Sequence, residues 1–174
     1  MQALEFWKAV TVDHANLLES LIAFLNEHRV KYCVIGGQAV NAYAEPLVSL
    51  DLDVVIALGD LERIRSLLGS RFSLQEFHHS LNLSLPGSQL RVQIQTDPRY
   101  LDFPAHSENR ELMGLTLPVA ALDDLLQGKI WAATDPERRA TKRQKDILDI
   151  ARLIEKYPHL RKRVPEQLLK QITS

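Results

Sequence analysis

Two aspartates one residue apart, Asp51 and Asp53, open an apolar run in the segment VIGGQAVNAYAEPLVSLDLDVVI, residues 34–56, and the adjacent glycines Gly36 and Gly37 close the run before it. In an extended strand alternate side chains share a face. The two carboxylates would therefore project together, about 7 Å apart, while Leu52, Val54 and Ile56 face a core. Such a pair must be solvated, matched by cations or bound to a metal. Mg²⁺ takes hard oxygen ligands and keeps water and phosphate oxygens in its remaining positions, so a D-x-D pair at a cleft mouth suits one or two such ions. A solvated pair at a strand edge is the other reading of the same residues. Gly36-Gly37 would let the backbone turn closely into a helix N-terminus, whose free N–H groups and positive dipole end suit phosphate oxygens; a plain tight turn is the alternative. Together the motifs set a phosphate cradle beside a metal site, as metal-assisted transfer to or from a nucleoside triphosphate requires.

The elements that must position these residues are legible from periodicity. Ala15, Leu18, Leu21, Ile22 and Leu25 recur at helical spacing within residues 12–29, with Asp13 available as a cap, and predict an amphipathic helix. Lys31 to Ile35 is short, apolar and β-branched and reads as a strand; the glycine corner ends it, and a short helix follows that stops before Pro46. Asp51 to Ala57 reads as a strand and Leu61 to Leu68 as a helix. Ser80 to Leu85 and Leu90 to Thr96 read as a hairpin about Pro86-Gly87-Ser88, closed by Asp97-Pro98. Residues 119–133 and 136–156 predict two helices, the second with Ile147, Ile150, Ala151 and Ile154 inward, and Pro165 opens a last short one.

The chain has 174 residues, 45% apolar and 25% charged, which suits one compact unit without repeats or linkers. No apolar run approaches the about 18 residues of a membrane span, and the N-terminus lacks the features of an export signal. The one cysteine, Cys33, lies in an apolar run and reads as a core thiol, so there is no disulfide or zinc framework, and the expected location is the cytoplasm. A net charge of −1 gives no global basic field for nucleic acid; the local exception is RRATKRQK, residues 138–145, with five basic residues and no acid. That run reads either as a solvated helix face or as a phosphate or tRNA contact.

Gly36, Gly37, Ser49, Asp51 and Asp53, in this order, resemble the glycine corner and T/S-x-D-x-D strand of the nucleotidyltransferase superfamily related to DNA polymerase beta, and within it the minimal and AbiEii-like toxin branch. The stretch KIWAATDPERRATKRQKDILDIARLIEKYP is similar to the helical part of that branch, through Lys129, Lys145, Asp146, Asp149 and Leu153. The resemblance spans roughly residues 15–157. It implies an α/β (α+β) fold: a nucleotidyltransferase-like mixed β-sheet flanked by helices, with residues 1–118 as the core and 119–174 as a C-terminal helical annex packed on it. It implies an NTP substrate with Mg²⁺ or Mn²⁺ on Asp51 and Asp53, and phosphate contacts from Gly36, Gly37, Gln38, Ser49 and Lys129. It also implies transfer of an NMP to a hydroxyl on tRNA or protein, as the toxin of a toxin–antitoxin pair with an antitoxin as partner.

The chain departs from that pattern at the third carboxylate. In LRVQIQTDP, alternation puts Arg91, Gln93 and Gln95 on one face, so the position resembling the third acid is Gln93, with Gln95 and Asp97 as alternatives. An amide can lend a neutral oxygen, but it neither offsets Mg²⁺ charge nor accepts a proton. Leu47 stands where relatives carry an arginine, and Gln38 where they carry Ser or Thr. Lys129 reads as a phosphate contact or as a surface lysine, and Asp146 and Asp149 as partners of Lys142, Lys145 or Arg152. A catalytically inactive nucleotide-binding module, or a plain interaction domain, therefore stays open beside the transferase.

Overall fold

The computed structural model describes residues 2–13 and 15–173. Two N-terminal helices, α1 (Ala3–Val10) and α2 (Leu17–Glu27), lead into strand β1 (Tyr32–Ile35). The buried Asp13 side chain accepts from Leu17 N at 2.8 Å and Leu18 N at 3.2 Å, capping α2 from outside its first turn. Leu17, Leu18, Leu21, Phe24 and Leu25 form its buried stripe. β1 passes directly into the short α3 (Gly36–Asn41), and a loop returns the chain as β2 (Asp51–Ile56). Then follow α4 (Asp60–Arg71), β3 (Ser73–Phe77), β4 (Ser80–Ser84), β5 (Arg91–Gln95), the short α5 (Phe103–His106), β6 (Glu108–Leu112) and β7 (Leu115–Val119). The helices α6 (Leu122–Thr134), α7 (Ala140–Lys156) and α8 (Glu166–Thr173) finish the chain.

The strands form one seven-stranded mixed sheet in the order β3-β4-β5-β2-β1-β7-β6. β2 lies antiparallel to β1 and parallel to β5, and register on β5 sets Arg91 beside Asp51 and Gln93 beside Asp53. Leu52 and Val54 are wholly buried, as the alternation predicted, and belong to the same core as the inner stripe of α2.

Three strands, β3, β6 and β7, escaped the sequence reading. β6 and β7 form a hairpin through Met113 and Gly114, both with positive φ, where residues 108–118 carried no predicted element and residue 119 was placed in a helix. β6, the edge strand, is charged, and β7, between β1 and β6, holds Pro118; both features hide a strand from pattern reading. β3, the opposite edge, is polar and mostly exposed, and its alternation has no core face to reveal it. α7 begins at Ala140, not 136, because Asp135 Oδ1 accepts from Glu137 N in a turn and Arg143 binds the carbonyls of Asp135 and Arg138. No helix among the described residues is long and apolar enough to cross a membrane.

Candidate nucleotide cleft

The site is built where β1 turns into α3. Gly36 takes a φ of +71°, and a Cβ there would run into the Asp53 carboxylate, whose Cγ would stand only 3.1 Å away. Glycine at this corner lets the carboxylate lie against the backbone. At Gly37 the cleft wall is backbone alone.

Asp51 and Asp53 share the face predicted for them but not the same surroundings. Asp51, at the rim, receives Arg91 Nε at 2.6 Å and Lys142 Nζ at 3.3 Å. Asp53 lies deeper, and burial, with Asp51 adding to it, pushes its carboxyl up to about 6 against the opposing pull of Lys129, Lys142 and Arg138. Gln93 lies in register beside Asp53, and its amide has no hydrogen-bond partner among the described residues. Gln95 Oε1 accepts from Asp97 N at 3.0 Å. The Asp97 carboxylate is committed to Arg99, 2.8 Å away, whose hydrogen bonds hold it below its ordinary range, so it does not replace a third acid in the cleft.

The facing wall comes from α6 and α7. Lys129, expected on phosphate or at the surface, is buried at 8% exposure, with its Nζ 3.0 Å from Asp146 Oδ1 and 2.8 Å from Asp149 Oδ2. Burial works against its charge, but Asp149 and Asp146 outweigh it and hold the ammonium above its ordinary range. Arg138 binds Asp146 in bidentate fashion at 2.8 and 3.2 Å, and Arg152 binds Asp149 at 2.8 Å. Of the partners expected for these acids, Arg152 is found and Lys142 and Lys145 are not: Lys142 reaches across to Asp51, and Lys145 lies exposed at the cleft. The basic run thus splits: Arg138 braces the buried acids, Arg143 closes the turn, and Lys142 and Lys145 face the cleft. Asp146 and Asp149 fall at helical spacing with the buried Ile150 and Leu153, a signal the sequence did contain.

Gln38 lies away from the cleft at 1% exposure. Its amide donates to Ser49 O at 3.1 Å and accepts from Asn41 at 3.2 Å, so it pins the loop ahead of β2. Ser49 lines the cleft and accepts from Asp51 N at 3.1 Å.

Two spaces meet at Asp53, Lys129, Arg138, Lys142 and Asp146. The larger, about 370 Å³, runs along Gly37, Ser49, Asp51, Arg91 and Lys145 and opens between Leu47, Val48 and Leu148. The smaller, about 90 Å³, reaches past Gln93 and Gln95 to Tyr100, Phe103 and Leu125.

The overall fold has counterparts among solved structures. A solution structure of the antibiotic-resistance factor ANT(2'')-Ia matches at 14% identity and TM-score 0.50 over 84% of this chain and 94% of its own. The lincomycin-bound lincosamide antibiotic adenylyltransferase LnuA matches at 10% identity and TM-score 0.51, over 82% and 99%. ANT(2'')-Ia in complex with adenylyl-2''-tobramycin matches at 12% identity and TM-score 0.50, over 84% and 96%. The fold is that of the nucleotidyltransferases. By sequence, no family model and no curated protein matches the chain. The mixed sheet flanked by helices is as expected for that fold, and the candidate cleft is lined from the β1–α3 corner, β2, β5 and the α6–α7 pair.

Whether a divalent cation fits can be judged from the donors. Among the described residues no three His, Cys, Asp or Glu side chains converge, and Asp146 and Asp149 are held by cations. Asp53, the unpartnered Gln93 amide and Asp51, once it is released from Arg91 and Lys142, nonetheless offer hard oxygens on one sheet face. That set fits one Mg²⁺ or Mn²⁺ shared with substrate phosphates, and not an all-protein cage.

Two stability effects follow from this electrostatics. Asp53 ordinarily titrates near 3.8 and here near 6, so between those values the folded state binds more protons than the unfolded state. Its contribution to folding therefore falls as pH rises through that window and is level above it. Asp53→Asn is expected to be more stable than wild type at about pH 7, by roughly 2–3 kcal/mol, with the advantage shrinking towards about pH 4.5 in urea unfolding. Lys129→Met, which leaves Asp146 and Asp149 buried with one cation fewer, is expected to lose about 3 kcal/mol in the same assay. Lys145→Met, at an exposed site, is expected to stay within about 0.5 kcal/mol.

Proposed function

We propose that the cleft binds a nucleoside triphosphate with Mg²⁺ or Mn²⁺ and transfers its nucleoside monophosphate to a hydroxyl on tRNA or protein. The observation that carries this reading is the opposition of Asp51 and Asp53 on the sheet to Lys142 and Lys145 on α7 across the larger space, with Gln93 in register beside Asp53. Asp51 and Asp53 would hold the cation, which supplies polarisation of the phosphoryl oxygens and neutralises developing charge. Lys142, drawn from Asp51, and Lys145, which has no ion-pair partner among the described residues, bind the triphosphate as point charges. Gly37 lets the phosphates approach the backbone. Lys129 acts from below, its ammonium fixed by Asp146 and Asp149 so that positive charge stays beside Asp53.

The acceptor oxygen forms a bond to the α-phosphorus, the bond from that phosphorus to the bridging oxygen breaks, and pyrophosphate leaves. Gln93 cannot take the hydroxyl proton, which passes to solvent water. The toxin half of a toxin–antitoxin pair is the physiological role we attach to this chemistry, on the motif order alone. The amide at Gln93 favours a second reading, a module that binds NTP and transfers nothing.

Label transfer decides between them. Each of the four α-labelled NTPs, with Mg²⁺ or Mn²⁺, is incubated with total tRNA, with cell protein and with the chain alone. Label in an acceptor supports the transferase. Nucleotide-dependent thermal stabilisation without label supports the binding module, and neither effect at millimolar nucleotide refutes both.

A further inference from the structure

The larger space has a charged floor and an apolar lip. Leu47 is 46% exposed, Val48 62% and Leu148 51%; the first two sit on the loop before β2 and the third on α7, and all three line the space that holds Asp51, Lys142 and Lys145. Exposed aliphatic groups converging on the mouth of a cation-lined cleft call for a ligand with an apolar part and an anionic part. A nucleoside triphosphate is such a ligand. Its base can lie along this lip, which a neighbouring space of about 500 Å³ beside Ala44, Pro46 and Glu155 shares through Leu47 and Leu148, or enter the smaller space. The smaller space, at about 90 Å³, is below the roughly 150 Å³ cavity that accepts benzene, so a base does not fit inside it.

We propose that Leu47, Val48 and Leu148 form a shelf on which the nucleobase lies by its flat face, and that this shelf does not distinguish one base from another. The inference rests on the nucleotide reading of the cleft. Discrimination among bases needs donors and acceptors fixed opposite the base edge, and selectivity is large when such buried groups would be left unpaired by the wrong ligand. The fixed polar side chains at this end are already used. Asn41 donates to Leu47 O and accepts from Leu47 N and Arg152, and Arg152 is shared among Asp149, Asn41 and the Glu45 carbonyl. Glu155 and Lys156, farther along α7, are exposed and have no hydrogen-bond or ion-pair partner among the described residues, so they hold no fixed pattern against a base.

Calorimetric titration of the intact chain with ATP, GTP, CTP, UTP and inorganic tripolyphosphate, all with Mg²⁺, tests the shelf. The four NTPs are expected to bind within about threefold of one another and each about tenfold more tightly than tripolyphosphate. Leu148→Asn and Val48→Asn, at exposed positions that folding tolerates, are expected to weaken all four NTPs by about five- to tenfold and leave tripolyphosphate unchanged. A preference of more than about tenfold for one base overturns the proposal, because aliphatic faces cannot supply it. Equal binding of all five ligands, unmoved by either substitution, overturns the shelf and leaves the phosphate floor standing. Binding of none of the five overturns the nucleotide reading and the shelf with it.

Discussion

The double substitution Asp51→Asn/Asp53→Asn is expected to abolish label transfer from every α-labelled NTP, a loss of about 10³-fold or more. Asparagine keeps the shape of each side chain and removes both negative charges, and with them the hold on a divalent cation. The variant should fold. Asp53→Asn removes a carboxylate that burial disfavours, and Asp51→Asn frees Arg91, itself 66% exposed, and Lys142 to water. The pair of measurements is therefore label incorporation and urea unfolding on the same preparation. Transfer that persists in a folded double variant would remove the metal reading of β2. Transfer lost together with the fold would contradict the electrostatic argument for Asp53.

The opposite change is expected at the neighbouring strand. Gln93→Asp puts a third carboxylate in register beside Asp53, on the face that already carries Arg91 and Gln95, and gives the acceptor hydroxyl a proton acceptor. Transfer is expected to rise by about 10²- to 10⁴-fold, the usual worth of a placed general base. In the binding-module reading the same variant gains transfer where wild type has none. A third acid beside Asp53 also raises like-charge repulsion, so the variant should be less stable than wild type without Mg²⁺ and recover when Mg²⁺ is added. Gln95→Asp is the control. Its amide caps Asp97 N, so a carboxylate there is expected to add no transfer. Equal rates in wild type and Gln93→Asp would show that the absent third acid does not limit the reaction.

These two experiments fall on residues that the sequence had already marked. Alternation along LDLDVVI and LRVQIQ was enough to put Asp51 with Asp53 and Arg91 with Gln93 and Gln95, because a strand has a period of two whatever it packs against. The β1–α3 corner, the β4–β5 hairpin and the inner stripe of α7 were legible for the same kind of reason: each writes its own local period, and glycine or proline marks its ends.

What the sequence could not contain was partnership across elements. Lys129 looked like a surface or phosphate lysine and is a buried strut, because two carboxylates from the next helix converge on it. Gln38 looked like a phosphate contact and turns inward, because Ser49 and Asn41 offer its amide partners in the loop before β2. Lys142 belongs to a basic run that leads into α7 and pairs with an aspartate on a distant strand. The edge strands β3 and β6 have no buried face to print a period, so only pairing with β4 and β7 defines them. Local residue order determined which groups stand on which face of a strand or helix. The tertiary structure alone decided which of those faces meet, since charge pairing and burial depend on neighbours that lie far apart along the chain.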